Sequence, residues 1–341
     1  MRSRIYVLLW VSFLVWIVSG CEEMQSKGGK QTSSGKTAEI LVVTSLNSDI
    51  KGMIGDTIRY HFYQDFELLP QPEVLFELSF IDKAGFETSE VLKTHHNILF
   101  LDIDKDYPAS TIEKLTDLWA TPQTMIRIKS PDKTSLIKIF MDKRDDLTQL
   151  FTKNEMKRLH RFMKPYLDEN IIETLHKAYH VNMEIPNGFF IAKKTANFVW
   201  LRREKEKTGE GILLYFYPYT DTLAFQSKRI ISFRDSITKM YIPGPSDGSY
   251  MTTEKKYMLP VHKKINFNGI FAVETRGLWR VENDFMGGPF VNYTLVDEKN
   301  QQVVTFDAYA YNPNKGTRDM MIQLMAIIQT YTPVKDTITD N

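Results

Sequence analysis

The chain has 341 residues, 43% of them hydrophobic and 12% aromatic, enough apolar material to bury one large core or two smaller ones. Its 43 Lys and Arg stand against 42 Asp and Glu with no basic patch, so nothing in the charge pattern points to nucleic acid as a partner. Cys21 is the only cysteine, which excludes an intramolecular disulfide and any multi-cysteine metal site.

Arg2 and Arg4 precede an apolar run, Ile5 to Val18, which closes on Val18-Ser19-Gly20-Cys21. A basic start, an apolar stretch of h-region length and small residues before a cut site predict a signal peptide over residues 1–20. The competing readings are a cleaved secretory signal with a bystander cysteine and an uncleaved anchor helix. The segment resembles the lipobox of bacterial lipoproteins, in which cleavage precedes a lipid-modified cysteine. That resemblance implies that Cys21 becomes an acylated N-terminus inserted in the lipid bilayer of the cell envelope, with the outer membrane as the expected site. Residues 21–38, reading EEMQSKGGKQTSSGKT from Glu22 to Thr37, predict a flexible tether whose sixteen polar residues reach roughly 20 Å. Glu22-Glu23 resembles the surface-export signals of Bacteroidota lipoproteins. Gly35-Lys36-Thr37 ends like a phosphate-binding loop, but Lys30 stands where its first glycine belongs and no strand precedes it, so nucleotide binding there is rejected.

The expected first domain, 39–184, opens on EILVVTSL at Glu39–Leu46, a β-branched run that predicts a strand buried on both faces. A helix follows from about Asp49 to Phe62, then strands at Val74–Asp82 and Asn97–Asp104. Ser110-Thr111-Ile112-Glu113 reads as a capping box opening a helix through Trp119. Thr124–Lys129 and Ser135–Met141 read as two further strands. A helical pattern covers Asp145–Asn182, capped at Asn154 and Glu155 and broken at Pro165. Alternating strands and helices predict an α/β layer with parallel pairing.

The expected second domain, 185–333, begins after Ile185-Pro186-Asn187-Gly188 with period-two segments at Phe189–Lys193, Ala196–Arg202 and Ile212–Tyr219. A helix over Phe225–Tyr241 precedes strands at Gly269–Glu282, Pro289–Val296 and Gln302–Tyr311, the last two joined by a hairpin at Asp297-Glu298-Lys299-Asn300. A closing helix over Thr317–Thr330 stops before Pro333, and 334–341 is expected to be a disordered tail. This half predicts a largely antiparallel sheet with packed helices. The chain as a whole is expected to be α+β, with mixed α/β order in its first part.

No chemical motif is complete. Asp102, Asp104, Asp106 and Glu113 have the spacing of a calcium loop, yet Tyr107 replaces the turn glycine and Glu113 is already claimed by the capping box. The strand ILFLDID resembles the DxD start of haloacid-dehalogenase phosphatases, but it ends the third strand rather than the first. Gly244-Pro245-Ser246-Asp247-Gly248 fits a nucleophile elbow in letters, with a proline inside the turn, His262 as the only later histidine and Asp247 as the only intervening aspartate; a surface loop is the competing reading. His176 and His180 share a helix face without a nameable third ligand. His95 and His96, being adjacent, are expected to diverge. No catalytic residue, metal or cofactor is therefore expected. Tyr215, Tyr217 and Tyr219 alternate along a strand and are candidates for a ligand-binding aromatic face, against the commoner reading of core packing.

The stretch GLWRVENDFMGGPFVNY, Gly277 to Tyr293, resembles the signature of an uncharacterised envelope lipoprotein family of Bacteroidota, continuing through Phe306-Asp307-Ala308-Tyr309-Ala310-Tyr311. Membership implies an envelope lipoprotein and no particular activity. Gly287-Gly288-Pro289 is expected to make a tight turn that brings Trp279 and Phe290 onto neighbouring strands. Arg280, Glu282 and Asp284 are expected opposite Val281, as a recognition face or a solvated one, and Trp279 and Arg280 join the candidate ligand-binding residues. The functional expectation is a membrane-anchored, non-catalytic binding or assembly module with a possible envelope protein partner. The alternative is an envelope hydrolase using Asp102 and Asp104 or Ser246.

Overall fold

Residues buried on both faces of a sheet must be apolar or have their polar atoms paired, and Glu39–Thr44 (β1) meets that demand with EILVVT: all six residues are buried, and Glu39 and Thr44 at its ends are hydrogen-bonded. The computed structural model describes residues 30–334; the signal segment, Cys21, the tether up to residue 29 and residues 335–341 lie outside the described residues. Asn47–Ile50 (α1) and Met53–Phe62 (α2) follow β1, then Glu77–Asp82 (β2), Lys83–Thr88 (α3), Glu90–Lys93 (α4) and Asn97–Ile103 (β3). Thr111–Thr116 (β4), Thr124–Ser130 (β5), Lys133–Met163 (α5) and Glu169–Tyr179 (α6) complete the first half. The sheet order is β2-β1-β3-β5-β4, with parallel pairing except at the β4 edge. Phe62 of α2 meets Phe140 and Phe151 of α5 edge-on under one face, while Phe86 of α3 meets Phe100 and Trp119 on the other.

Three local expectations fail here. Thr111–Thr116 is a strand rather than a capped helix: Glu113 sends its carboxylate to Lys129 on β5 at 2.6 Å, and the β-branched Thr111, Ile112 and Thr116 suit the pleat. Ser135–Met141 is helical rather than extended. The Asp132 side chain accepts from the Ser135 amide at 2.9 Å, and Leu136, Phe140, Leu147 and Phe151 are buried at helical spacing. Asn154 and Glu155 therefore fall inside α5 and not at its start. The break at Pro165 is real, as the chain passes through a short 3₁₀ turn at Lys164–Tyr166.

The second half builds an antiparallel sheet from Phe190–Thr195 (β6), Phe198–Lys205 (β7), Thr208–Pro218 (β8), Tyr250–Thr253 (β9), Val261–Phe267 (β10), Ile270–Glu282 (β11), Gly287–Asp297 (β12) and Gln302–Tyr311 (β13). Ser227–Tyr241 (α7) and Arg318–Ile328 (α8) are its helices. The strand order is β9-β11-β12-β13-β8-β7-β6, with β10 also paired to β11. Strand β9 escapes the sequence reading because it is only four residues long, and β10 because its alternation is interrupted by adjacent lysines, as suits a sheet margin. The inner strands alternate between two buried faces, while β6 and β10 are largely exposed. One face, carrying Leu214, Val291, Tyr293 and Phe306, joins α8 and α5 in a core continuous with the first sheet, and the described residues from Thr32 onward form one compact unit. The other face, carrying Phe198, Leu213, Tyr215 and Phe290, lies under α7. The fold is α+β, as expected.

Candidate functional site

Cross-strand register arranges the α7-facing side chains in rows. His262, Thr275, Asn292, Asp307, Leu213 and Trp200 stand opposite one another in turn from β10 to β7. The next row is Gly277, Phe290, Tyr309, Gly211 and Arg202. Beyond it Trp279 faces Gly288, and Tyr311 faces Gly209, which in turn faces Glu204. In the last two rows each large ring thus lies beside a glycine.

The glycines are there for space. A Cβ on Gly211 would lie 2.3 Å from the Tyr309 ring, and one on Gly277 would lie 2.7 Å from Phe290. Gly288 is closed by the Ala310 carbonyl oxygen at 2.2 Å; it belongs to strand β12 and not to the tight turn expected of Gly287-Gly288-Pro289. Trp279 and Phe290 do lie on neighbouring strands, each opposite a glycine. Gly209 differs, since a Cβ there would meet nothing within 4 Å. It floors an open trough.

That trough has a volume of about 740 Å³, within the range of small-molecule sites. Trp200, Trp279, Tyr309 and Tyr311 line it, together with Met251, Met286 and the Ile242–Pro245 segment that follows α7. Its polar atoms are largely satisfied from within: Trp200 Nε1–H donates to the Tyr309 hydroxyl at 3.0 Å, and Trp279 Nε1–H to the Ala310 carbonyl at 3.2 Å. Burial pushes the Tyr309 hydroxyl up to about 12, against the opposing hydrogen bond from Trp200, so it stays protonated at neutral pH. Charge is confined to one end, the β7–β8 hairpin, where Arg202 lies over the Trp200 ring at 5.2 Å and pairs with Glu204, with Glu206 and Lys207 beside them.

A fully buried ion pair holds α7 over the first row. Arg234 Nε donates to Asp307 at 2.8 Å, Nη1 donates to Thr253 at 3.0 Å, and the guanidinium lies 3.7 Å from the Phe290 ring centroid. Asn292 donates to both Asp307 and the Tyr215 hydroxyl. Burial pushes the Asp307 carboxyl up, while Arg234 opposes the shift. Sequence reading missed Trp200, Tyr309, Arg234 and the glycine floor; the signal that carries them is strand register, which only the paired sheet displays.

The expected site residues disperse. Tyr215 is 1% exposed, Tyr217 stacks on Phe233 at 3.9 Å, and Tyr219 lies past the end of β8 against Phe225. They form no exposed aromatic face. Trp279 is in the trough wall, whereas Arg280 points to the opposite face and pairs with Glu282 and Glu254. Asp102 pairs with Lys83 at 3.2 Å and accepts from Tyr107 at 2.8 Å, while Glu113 is taken by Lys129. Ser246 donates to Asp284 at 2.7 Å, and His262 lies instead against Thr275. His176 pairs with Asn182, and His180 ends α6 in the left-handed region. Among the described residues, no three His, Cys, Asp or Glu side chains are placed to hold a metal ion. His95 and His96 do not diverge: their rings stack at 4.7 Å, with His95 3.3 Å from Glu39 and His96 2.9 Å from Glu155.

Residues 168–330 match a family model described as a domain of unknown function, DUF4837, and residues 33–164 match a second, DUF8532, described in the same way. Both halves thus match families without an assigned activity, and the two models meet at the Pro165 turn. No curated protein matches the chain. Among solved structures, a mutant of the protein Mog1 is similar at 11% identity and a TM-score of 0.31, over 46% of this chain and 92% of that one. The Saccharomyces cerevisiae Ran-binding protein Mog1p is similar at 8% identity with the same TM-score, over 45% and 90%. Likeness at this level says nothing of function.

Proposed function

We propose that the chain is a lipid-anchored protein of the bacterial cell envelope whose antiparallel sheet serves as a binding module, with the trough beside α7 as its ligand site. The observation that carries the binding reading is an open cavity of about 740 Å³ walled by four aromatic rings, with Gly209 leaving its floor unfilled. The anchor rests on the lipobox-like Val18-Ser19-Gly20-Cys21 and on the polar stretch after it.

Two experiments test the two parts. Cells fed an alkyne-tagged palmitate should label the wild-type chain and leave Cys21→Ser unlabelled; label persisting in that variant refutes the anchor. The purified full chain should bind the apolar dye 1-aminoanthracene with a rise in its fluorescence, and Gly209→Leu, which fills the floor, should abolish that rise. Equal dye binding by both proteins refutes the trough as the site.

A further inference from the structure

The trough is asymmetric. Its lining is apolar where Ile242, Met251, Val281 and Met286 meet Trp279, and charged only at the β7–β8 hairpin, where Arg202, Glu204, Glu206 and Lys207 stand. Three of these four charged side chains are exposed, so the charged end faces water. From β11 at the apolar end to β7 at the charged end the floor crosses five adjacent strands, roughly 19 Å at the usual strand spacing. The two tryptophan N–H groups are already spent on protein acceptors, so the interior has little to offer a polyhydroxylated ligand such as a sugar. Two methionine side chains at the apolar end suit a flexible aliphatic occupant, because the unbranched thioether repacks easily.

We propose that the ligand is a single-chain amphiphile, its hydrocarbon tail running from Gly209 past the aromatic wall of the trough toward Met286 and its polar head held at the β7–β8 hairpin. This rests on the reading of the trough as a ligand site and adds the chemical class of the ligand. The tail exchanges water for Trp279, Val281 and Met251, which contributes about 0.8 kcal/mol per buried methylene. The head meets both signs of charge: Arg202 and Lys207 suit a carboxylate or phosphate, and Glu204 and Glu206 suit an ammonium. A free fatty acid and a lysophospholipid share this chemistry.

The test is photo-crosslinking of the full chain in cells fed a fatty acid carrying a diazirine in its tail and a terminal alkyne. Adducts should map to peptides containing Met251 or Met286, separately from any label on the N-terminal peptide with Cys21. Gly209→Leu should remove the adducts by filling the floor. Met286→Glu should reduce them at least tenfold by placing a charge at the apolar end, on a half-buried loop side chain at the margin of the α7-side core. Adduct mass identifies the source, with a bare fatty acid and a lysophospholipid differing by the head group. Label confined to the Cys21 peptide overturns the proposal. If 1-aminoanthracene still enters the wild-type trough in that case, the site stands and only the ligand class is wrong; if the dye also fails, the site reading falls with it.

Discussion

The two sheets of this protein use burial in opposite ways. In the parallel sheet, β1 and β3 are covered by helices on both faces, and the polar groups among them are closed off pairwise: Glu39 with His95, Glu155 with His96 and Arg158, Asp102 with Lys83. In the antiparallel sheet, α7 covers only part of one face, and past its C-terminal end a trough is left open beside Trp279, Tyr311 and Gly209. A closed layer can only stabilise, whereas a partly roofed one has surface to offer a ligand. The position of α7 therefore decides where the candidate site is.

The most severe way to break this contrast is to loosen α7. Replacing Arg234 with methionine strands Asp307 as an uncompensated charge with 0% side-chain exposure, a change that costs about 3–5 kcal/mol in comparable buried pairs. Urea unfolding followed by circular dichroism should show that loss. The double variant Arg234→Met/Asp307→Leu should recover most of it, since two apolar side chains need no partner. A double variant no more stable than the single one would mean that the pair's other hydrogen bonds, from Arg234 to Thr253 and from Asn292 to Asp307, carry the stability instead.

The parallel sheet should respond to acid. Burial raises the Glu155 carboxyl, but His96 and Arg158 outweigh it and bring the group from 4.5 to about 2. A carboxylate depressed in the folded state contributes stability above its unfolded value, and that contribution is lost as pH falls from about 4.5 through about 2. The full effect is on the order of 3 kcal/mol. Glu39 acts in the same direction, held well below the usual carboxylate range by its hydrogen bond to His95, against its own burial. Denaturation midpoints between pH 6 and pH 2 should fall steeply for wild type and less steeply for Glu155→Gln. Parallel curves for the two proteins would show that the His96 contact contributes nothing net.

Much of this architecture is legible in the sequence, and the exceptions share a cause. EILVVT and NILFLDI announce themselves because the middle of a strand buried on both faces is an unbroken apolar run, ILVV and ILFL, with polar residues only toward its ends. Ser110 to Glu113 misleads because a capping box is a purely local pattern, while the Lys129 that takes Glu113 arrives from the adjacent strand. Ser135 to Met141 misleads because Ile137, Ile139 and Phe140 look extended until Asp132 is seen capping the Ser135 amide. Trp279 could be singled out from its place beside Arg280 and ahead of Gly287-Gly288-Pro289. The trough could not, because Gly211 beside Tyr309 and Gly209 beside Tyr311 lie 98 and 102 residues apart along the chain and become neighbours only through the pairing of β8 with β13.

The finest distinction lies within β8, between two glycines two residues apart on the same face. Gly211→Ala drives a methyl group into the Tyr309 ring at 2.3 Å, and overpacking of this kind costs about 1–3 kcal/mol. Gly209→Ala meets nothing within 4 Å, so its main effect is to remove the excess freedom of glycine from the unfolded chain, a gain of about 0.5–1 kcal/mol. Opposite signs in thermal unfolding would show that the sheet is packed at one position and vacant at the next. Equal losses would mean that Tyr311 or the β7–β8 hairpin closes over Gly209 in solution. An alanine there is too small to fill the floor, so dye binding should survive Gly209→Ala and disappear only in Gly209→Leu, tying the vacancy to binding rather than to the loss of glycine itself.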